Sequence, residues 1–359
     1  MRSLATFDLG IYAPYTWDDV TYLACGLCDT MENLGGTVRY MSCQTHDKNV
    51  HFRYDKAVSN GKRVAFRPWA EQCRNMLWFD VQPSKLDIAK RAGCRNLLVP
   101  LLHRLEPQDF EVMPRFDDVL CVSQTIQDVL GRKAPRVDSE RLDWDSCLPL
   151  ASKSRSREEK DIHLFAPIDS ATARDEGVLY ADIFRILLDA LPRLSITICA
   201  TRYWRRPTLS AFCSLKDRFE DRMILLRKPD HFKRMEAYRT ADWVFCGSLH
   251  ESSLLAPTEA LAFGCPIIAF NAPPINEMVQ HLHNGYLIPC GTSRTAMGIP
   301  RIQVNAKELL DTLLASVGDP GVLMAMQQQP WPELEERKRN FLSRWRQLLV
   351  LEEQPVRDD

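Results

Sequence analysis

Residues 248–270 read SLHESSLLAPTEALAFGCPIIAF, an apolar stretch in which Glu259 is the one charged side chain after Glu251. A carboxylate buried among apolar neighbours is unfavourable unless another group pairs with it or hydrogen-bonds to it. Either the protein or a ligand must therefore supply a partner. We expect the hydroxyl groups of a ligand to complete the bonding of Glu259.

The same stretch predicts a strand end, a loop, a helix and a second strand. Ser252 or Ser253 is expected as the N-cap, Pro257 falls in the first turn, and Gly264 ends the helix. The N–H groups at the start of such a helix suit an anion such as a diphosphate. A carboxylate such as that of Glu259 is a good two-point acceptor for vicinal sugar hydroxyls.

Short apolar runs alternate with amphipathic helical patterns on both sides of this stretch. Strand–helix alternation of this kind predicts an α/β fold with parallel sheets covered by helices on both faces. A polar, charge-rich linker at residues 151–160 separates two halves of similar size, which we predict to be domains at residues 1–152 and 153–335. Open sheets of this type bind ligands at the carboxyl ends of their strands, and a cleft between the halves would add to that.

The composition is that of an ordinary globular protein, with 359 residues, 45% hydrophobic residues and a net charge of −1. The twelve cysteines are irregularly spaced, and Asp8 interrupts what would be the apolar part of a secretory leader. No stretch approaches the roughly 18 apolar residues of a membrane span. We therefore predict a cytoplasmic protein with reduced thiols and no membrane span.

Residues 238–289 resemble the carboxy-terminal signature of retaining GT-B glycosyltransferases, in which seven residues separate two glutamates. The resemblance implies a GT-B fold of two Rossmann-like domains that face a cleft. It also implies a retaining, metal-independent hexosyl or pentosyl transfer from a nucleotide-sugar donor, with no further cofactor. The site residues that it implies are Glu251 beside the donor sugar, Glu259 on the nucleotide ribose, and the backbone of Ser253, Leu254 and Leu255 on the donor.

Weaker similarities cover much of the remaining chain. DDVLCVSQTIQDVL, at residues 117–130, resembles the end of the family's first domain, which carries the acceptor site; the second domain binds the donor. WPELEERKRNFLSRW, at residues 331–345, resembles the final helix, so that residues 336–359 are expected to cross back to the first domain. His103 follows an apolar strand where the family often has a histidine near the donor sugar; a core histidine is the alternative.

The sequence departs from the family pattern in three places. PYTWDDV, at residues 14–20, replaces the Gly-rich loop after the first strand, and Leu254 replaces a glycine that follows the first glutamate. The basic pair that clamps the diphosphate is missing from residues 168–176, where Arg174, or else Arg202, could substitute. These departures leave a second hypothesis open: a non-catalytic GT-B-fold protein that binds a nucleotide sugar or nucleic acid.

Residues 46–69 carry six basic side chains against two acidic ones, with four aromatic residues between them. Cations interleaved with aromatics suit a phosphate backbone and stacked bases. The predicted nucleic-acid contacts are Lys48, Arg53, Lys62, Arg63 and Arg67. We predict an anionic acceptor, for example a hydroxylated base in DNA, which would have to leave its duplex. An anionic lipid, a phosphorylated glycan and a merely solvated basic hairpin are the alternatives.

Three further motifs are interpreted as structural. Cys25 and Cys28 form a C-x-x-C in the middle of a predicted helix, whereas a redox pair usually lies at a helix start. The Asp-x-Asp pattern at residues 143–145 lies near the predicted domain junction, so we do not expect it to bind a metal. His281 and His283 are expected in a solvated loop.

Overall fold

The computed structural model describes residues 7–14, 19–43, 58–59, 65–142, 161–168, 176–200, 204–227, 229, 231–249, 254–294, 300–328 and 331–349. At positions 58, 59, 103, 200, 231 and 328 it describes the backbone alone. The chain divides into two compact units, one of Met1–Cys147 with Glu335–Asp359 and one of Leu148–Leu334. The boundaries expected from the sequence, at residues 152 and 335, differ from these by a few residues.

The first unit contains a parallel sheet. Among the described residues its strands are β1 (Phe7–Ala13), β2 (Val38–Ser42), β3 (Val58–Ser59), β4 (Cys73–Trp78), β5 (Arg95–Leu98), β6 (Asp118–Cys121) and β7 (Ser139–Arg141). Its helices are α1 (Asp19–Asn33), α2 (Phe66–Ala70), α3 (Pro83–Ala92), α4 (Asp109–Val112) and α5 (Gln124–Lys133), with 3₁₀ turns at Leu102–Arg104 and Met113–Arg115. The strand order β3-β2-β1-β4-β5-β6-β7 reverses between β1 and β4.

Aromatic rings fill the core next to β1 in the first unit. The Tyr12 ring lies 4.9 Å from Phe66 and 5.3 Å from Trp78, both edge-on, and Trp69 is fully buried beside them. Gly10 is required here, because a Cβ at that position would lie 2.6 Å from the Cys73 sulfur. Helix α2 is therefore anchored to the sheet by its own aromatic side chains.

The second unit repeats the architecture. Its described strands are β8 (Ile162–Ile168), β9 (Leu194–Ala200), β10 (Met223–Arg227), β11 (Trp243–Cys246), β12 (Ile267–Phe270) and β13 (Gly285–Ile288), followed by the hairpin β14 (Gly291–Arg294) and β15 (Pro300–Gln303). Its helices are α6 (Gly177–Ala190), α7 (Arg206–Arg218), α8 (His231–Thr240), α9 (Leu255–Ala262), α10 (Ala306–Gly318) and α11 (Pro320–Gln328), with a 3₁₀ turn at Ile275–Glu277.

The parallel sheet of the second unit has the order β10-β9-β8-β11-β12-β13, so it reverses between β8 and β11. One face packs against α6, with Phe184 and Leu187 fully buried, and the other against α8 and α9, with Tyr238 and Ala260 fully buried. Side chains therefore alternate between two cores, as in Leu164 and Phe165 of β8. The predicted α/β, doubly wound Rossmann-like architecture is confirmed in both units.

The last helix, α12 (Pro332–Leu349), is assigned to the first unit from Glu335 onward. Arg95, at the start of β5, donates from Nη1 to the carbonyl of Leu348 at 2.9 Å and binds Asp118 through two further hydrogen bonds of 2.8 and 2.9 Å. Arg344 forms an ion pair with Glu140 of β7. Charged groups on three neighbouring strands thus hold the carboxy-terminal part of α12.

Within the described part of the chain, no single helix is long and apolar enough to cross a membrane; α10 and α11 reach the required length only jointly, with a 73° bend between them. None of the described cysteines forms a disulfide.

Candidate functional site

The paired-glutamate stretch follows β11 at the point where the strand order of the second unit reverses. Ligands of open parallel sheets bind beyond the carboxyl ends of the strands at such a reversal. Two contacts fix the first residues of the loop. The Tyr180 hydroxyl donates to the carbonyl of Gly247 at 2.7 Å, and the backbone N–H of Ile302 in the hairpin donates to the carbonyl of Leu249 at 3.3 Å.

Helix α9 begins in a different way from that predicted. The residue before its first turn is Leu254, not a serine, and it has a left-handed conformation with φ 52° and ψ 20°. Such a conformation is unusual for a residue that is not glycine. Leu254 is the residue that replaces a family glycine, and here it adopts the backbone conformation that glycine favours while its side chain is 1% exposed in the core.

The end of α9 agrees with the prediction. Gly264 has φ +64°, and its N–H donates to the carbonyl of Leu261 at 2.9 Å. The N–H of Cys265 donates to the carbonyl of Ala260, also at 2.9 Å. This is the Schellman arrangement, which only a left-handed residue closes readily. It turns the chain directly into β12.

Glu259 has a partner within the protein. Its side chain lies in the second turn of α9 and is 3% exposed, and its Oε2 forms an ion pair with Nη2 of Arg234 on α8. Arg234 is 2% exposed. The expectation that this carboxylate needs a ligand as its partner is therefore wrong. A buried cation 25 positions earlier in the chain already pairs with it.

The ion pair is part of a larger buried group. Arg234 Nη2 also lies 3.4 Å from the Tyr238 hydroxyl, one helical turn further along α8. Burial raises the pKa of Glu259, while Arg234 and the Tyr238 hydroxyl act in the opposite direction. Burial and the Glu259 charge raise the pKa of Tyr238 well above its usual value, so its hydroxyl stays protonated. Burial also raises the pKa of the nearby Cys199 thiol to about 12.

Most of the other predicted site residues fall outside the described residues. These are Glu251, Ser253, Arg174, Arg202, Lys48, Arg53, Lys62 and Arg63, together with Asp143 and Asp145. The backbone of His103 lies in the 3₁₀ turn after β5, as the strand prediction requires, but its side chain is not described. Leu255 is the first residue of α9 and is buried.

Two aromatic residues of the basic segment have a structural role. Phe66 and Trp69, interpreted above as possible stacking partners for bases, are 3% and 0% exposed in the core of the first unit. That part of the interpretation is wrong, because buried rings cannot stack on a ligand. Arg67 between them is exposed and forms an i,i+4 ion pair with Glu71 at 3.0 Å. Its charge is therefore partly compensated.

The remaining motifs behave as structural groups. Cys25 and Cys28 are buried within α1, and burial raises the pKa of the Cys25 thiol, which agrees with the structural interpretation. His281 accepts a hydrogen bond at Nδ1 from the backbone of Leu287 at 3.0 Å, and His283 lies 2.9 Å from Glu333. The loop that carries them is exposed to solvent in part, as expected, and these two contacts tie it to its neighbours. In the part of the chain that is described, no three potential metal ligands cluster.

A comparison with protein families finds a match within the second unit. Residues 214–299 match the family model described as Glycosyl transferases group 1, and this range lies within Leu148–Leu334. Over these residues the chain resembles the glycosyl transferases group 1 family. The family resemblance drawn from the sequence is confirmed, and the matched range contains Arg234, Leu254 and Glu259. The sequence as a whole matches no curated protein significantly.

Solved structures with the same fold cover almost the entire chain. Anabaena HepE, solved in complex with UDP and glucose, is 12% identical, has a TM-score of 0.69 and matches 96% of this chain and 100% of its own. A glycosyltransferase from Rickettsia africae is 10% identical with a TM-score of 0.65, over 95% and 97% of the two chains. Sucrose-phosphate synthase from Thermosynechococcus elongatus is 12% identical with a TM-score of 0.64, over 96% and 100%. These likenesses show that the chain has the GT-B fold.

Sequence reasoning missed Arg234 and Tyr238, which form the surroundings of Glu259. Both lie in HFKRMEAYRT, where charged residues occur on every side of the helix and no apolar stripe marks the buried face. Their i,i+4 spacing places them on one face of α8. That spacing, next to the small residues Ala237 and Ala241, was the signal that could have identified the buried face.

Proposed function

We propose that the protein is a glycosyltransferase that moves a sugar from a nucleotide-sugar donor to an acceptor hydroxyl. The observation that carries the proposal is that the group 1 match runs through the strand–loop–helix unit at the reversal of the second sheet. That location is where an open α/β sheet binds its ligand. Anabaena HepE, with the same fold, holds UDP and glucose, which makes UDP-sugars the first donors to test.

We infer the roles of the site residues from the family resemblance. Glu251 would contact the donor sugar, Glu259 the nucleotide ribose, and the backbone at Ser253, Leu254 and Leu255 the donor. Arg174 or Arg202 would balance the diphosphate, and His103 would lie near the donor sugar. The support from the structure is confined to α9, which starts at Leu255 beside the sheet reversal and carries Glu259.

The proposed reaction is a transfer with retention of configuration and without a metal. The bond between the anomeric carbon and the diphosphate breaks, a bond to the acceptor oxygen forms on the same face, and the acceptor proton is released. Oriented N–H groups at a helix start and one cation would stabilise the departing diphosphate, which is electrostatic preorganisation. Activity that persists in excess EDTA would support the metal-independent course, and a loss restored by Mg²⁺ or Mn²⁺ would exclude it.

The acceptor is proposed to be anionic, on the strength of the basic residues between positions 46 and 69. DNA with a hydroxylated base is one such acceptor, although the burial of Phe66 and Trp69 removes two of the aromatic residues that favoured it. Contacts to phosphates make binding fall steeply with salt. A salt-independent response, or no binding to short DNA, would exclude nucleic acid.

The experiment that tests the function is a thermal-shift screen of nucleotide sugars, followed by mass spectrometry of candidate acceptors with the stabilising donor. A donor that raises the melting temperature and is hydrolysed or transferred supports the enzyme. The second candidate, a GT-B-fold binding protein without catalysis, is favoured by one observation: residues 168–176 lack the basic pair that clamps the diphosphate in the family. Stabilisation by a donor that is never consumed would select this second candidate.

A further inference from the structure

We propose that Arg234 is a positioning residue for the nucleotide ribose, holding the carboxylate of Glu259 in the place from which it accepts the ribose hydroxyls. The inference rests on the proposed function. It adds a residue from α8, outside the paired-glutamate stretch, to the group that determines donor binding.

The contacts place Arg234 where such a role is possible. Its guanidinium reaches across from α8 to α9 and pairs with Oε2 of Glu259, and both side chains are almost fully buried. The Tyr238 hydroxyl, 3.4 Å from Arg234 Nη2, lies against the same carboxylate. Two groups on one face of α8 therefore fix the orientation of a single side chain of α9. The planar guanidinium is suited to this, because its donors have a fixed geometry and its charge persists at any ordinary pH.

The chemistry requires the carboxylate to be ionised. A ribose diol donates two hydrogen bonds, and a carboxylate can accept both, whereas a protonated acid loses part of its acceptor capacity. Burial alone would favour the protonated acid. Arg234 and Tyr238 oppose that tendency, so the same contacts that orient Glu259 also favour its ionised form.

Two of the titratable groups around Glu259, Cys199 and Tyr238, are neutral near neutral pH. Cys199 faces the ion pair from β9, and Cys246 of β11 lies next to Tyr238. The pKa of Cys199 is about 12 and that of Tyr238 is raised well above its usual value. Arg234 is the cation that the structure places in contact with the Glu259 carboxylate.

The test compares the binding of UDP and 2′,3′-dideoxy-UDP to the full chain by isothermal titration calorimetry. The wild type should prefer UDP. Glu259→Gln and Arg234→Met should each raise the Kd for UDP about tenfold, the size of a lost hydrogen bond to a charged group, and leave the Kd for the dideoxy compound nearly unchanged. The ratio of the two Kd values reports on the ribose alone, so a general loss of stability does not alter it.

Arg222→Met is the matched control. Arg222 is a partly buried arginine of the same unit that donates to the backbone carbonyls of Leu188, Leu191 and Leu194. This variant should lower the melting temperature and keep the preference for UDP. A double variant, Arg234→Leu with Glu259→Leu, separates the loss of the ribose contact from misfolding, because replacing both partners of a buried ion pair by apolar groups is often tolerated. It should fold and show no preference for UDP.

The pH profile gives a second readout. In the wild type, UDP binding should weaken as the pH falls through the raised pKa of Glu259, because the protonated acid is the poorer acceptor. Removal of Arg234 takes away a group that lowers this pKa. The loss of UDP binding should therefore begin at a higher pH in Arg234→Met, and the pH dependence should disappear in Glu259→Gln.

The outcomes separate this inference from the proposed function. If the wild type prefers UDP and Arg234→Met keeps both that preference and the pH profile, the inference is overturned and the function stands. The same holds if Glu259→Gln keeps the preference. If UDP does not bind, GDP and ADP with their dideoxy forms take its place; if none of the three binds, the proposed function fails and the inference fails with it.

Discussion

Glu259 of α9 and Arg234 of α8 form an ion pair in which both side chains are nearly inaccessible to water, at 3% and 2% exposure. The pair joins two helices that lie on the same face of the second sheet. Removing one partner of a buried pair leaves an uncompensated charge, which costs far more than the pair contributes.

We therefore expect Glu259→Ala to lower the free energy of unfolding by about 3–5 kcal/mol, because the Arg234 guanidinium would remain buried without this carboxylate. The sequence-based expectation that a ligand completes the bonding of Glu259 gave no reason to predict this loss of stability; the ion pair with Arg234 does. Urea unfolding followed by tryptophan fluorescence measures the change. A loss below about 1 kcal/mol would mean that the guanidinium finds water or another acceptor.

The stability of the wild type should also depend on pH through Glu259. Its pKa is raised in the folded chain, so between the unfolded value and the raised value the folded state binds more protons. Stability that Glu259 contributes should thus be greatest at acidic pH and decline as the pH rises through that interval. The difference in unfolding free energy between the wild type and Glu259→Gln, measured from pH 4 to pH 8, should show this slope. A difference that grows with pH would contradict it.

Leu254→Val should lower the free energy of unfolding by more than the loss of one methylene group would suggest. Leu254 has φ 52°, and a β-branched residue is strongly disfavoured in that region. Leu261 is the matched control, since it is also buried, at 3% exposure, but lies in the regular part of α9. We expect Leu254→Val to cost at least about 1 kcal/mol more than Leu261→Val in chemical unfolding. Equal costs would show that the loop relaxes to a less strained conformation.

The thiols should differ in reactivity according to burial. The pKa values of Cys121 and Cys199 are raised to about 12 by burial, and that of Cys25 is raised as well, so little thiolate forms at pH 8. Iodoacetamide at pH 8 should label the partly exposed Cys43 and Cys213 before these buried thiols, as mass spectrometry of the peptides can show. Rapid labelling of Cys25 would revive the redox interpretation of the C-x-x-C, which the double replacement by alanine would then test through activity.

The sequence predicted the strands and helices around the site well, and the reasons are local. Gly264 and Pro266 define the end of α9, and runs such as WVFC and IIAF have the length and composition of buried strands. Such signals depend on residues close together in the chain. Both units could therefore be predicted as doubly wound from alternation alone.

The parts that the sequence did not predict depend on residues far apart in the chain. The partner of Glu259 lies 25 positions earlier, on a helix without a clear apolar stripe. The start of α9 depends on a leucine in a conformation that its own propensity disfavours, so the serines nearby were the better candidates on local grounds. In both cases tertiary packing decided against the local preference.

The hairpin β14–β15 has one further consequence. Ile302 is 7% exposed, belongs to the same hydrophobic core as Leu249 and donates a backbone hydrogen bond to the carbonyl of Leu249. The hairpin, which follows the last strand of the parallel sheet, therefore supports the loop that leads to the paired glutamates. A variant in which this hairpin is shortened, or exchanged for that of a homologous chain, should therefore keep Ile302. Although Ile302 lies some fifty positions after the glutamates in the sequence, its loss is expected to disturb the loop that leads to them.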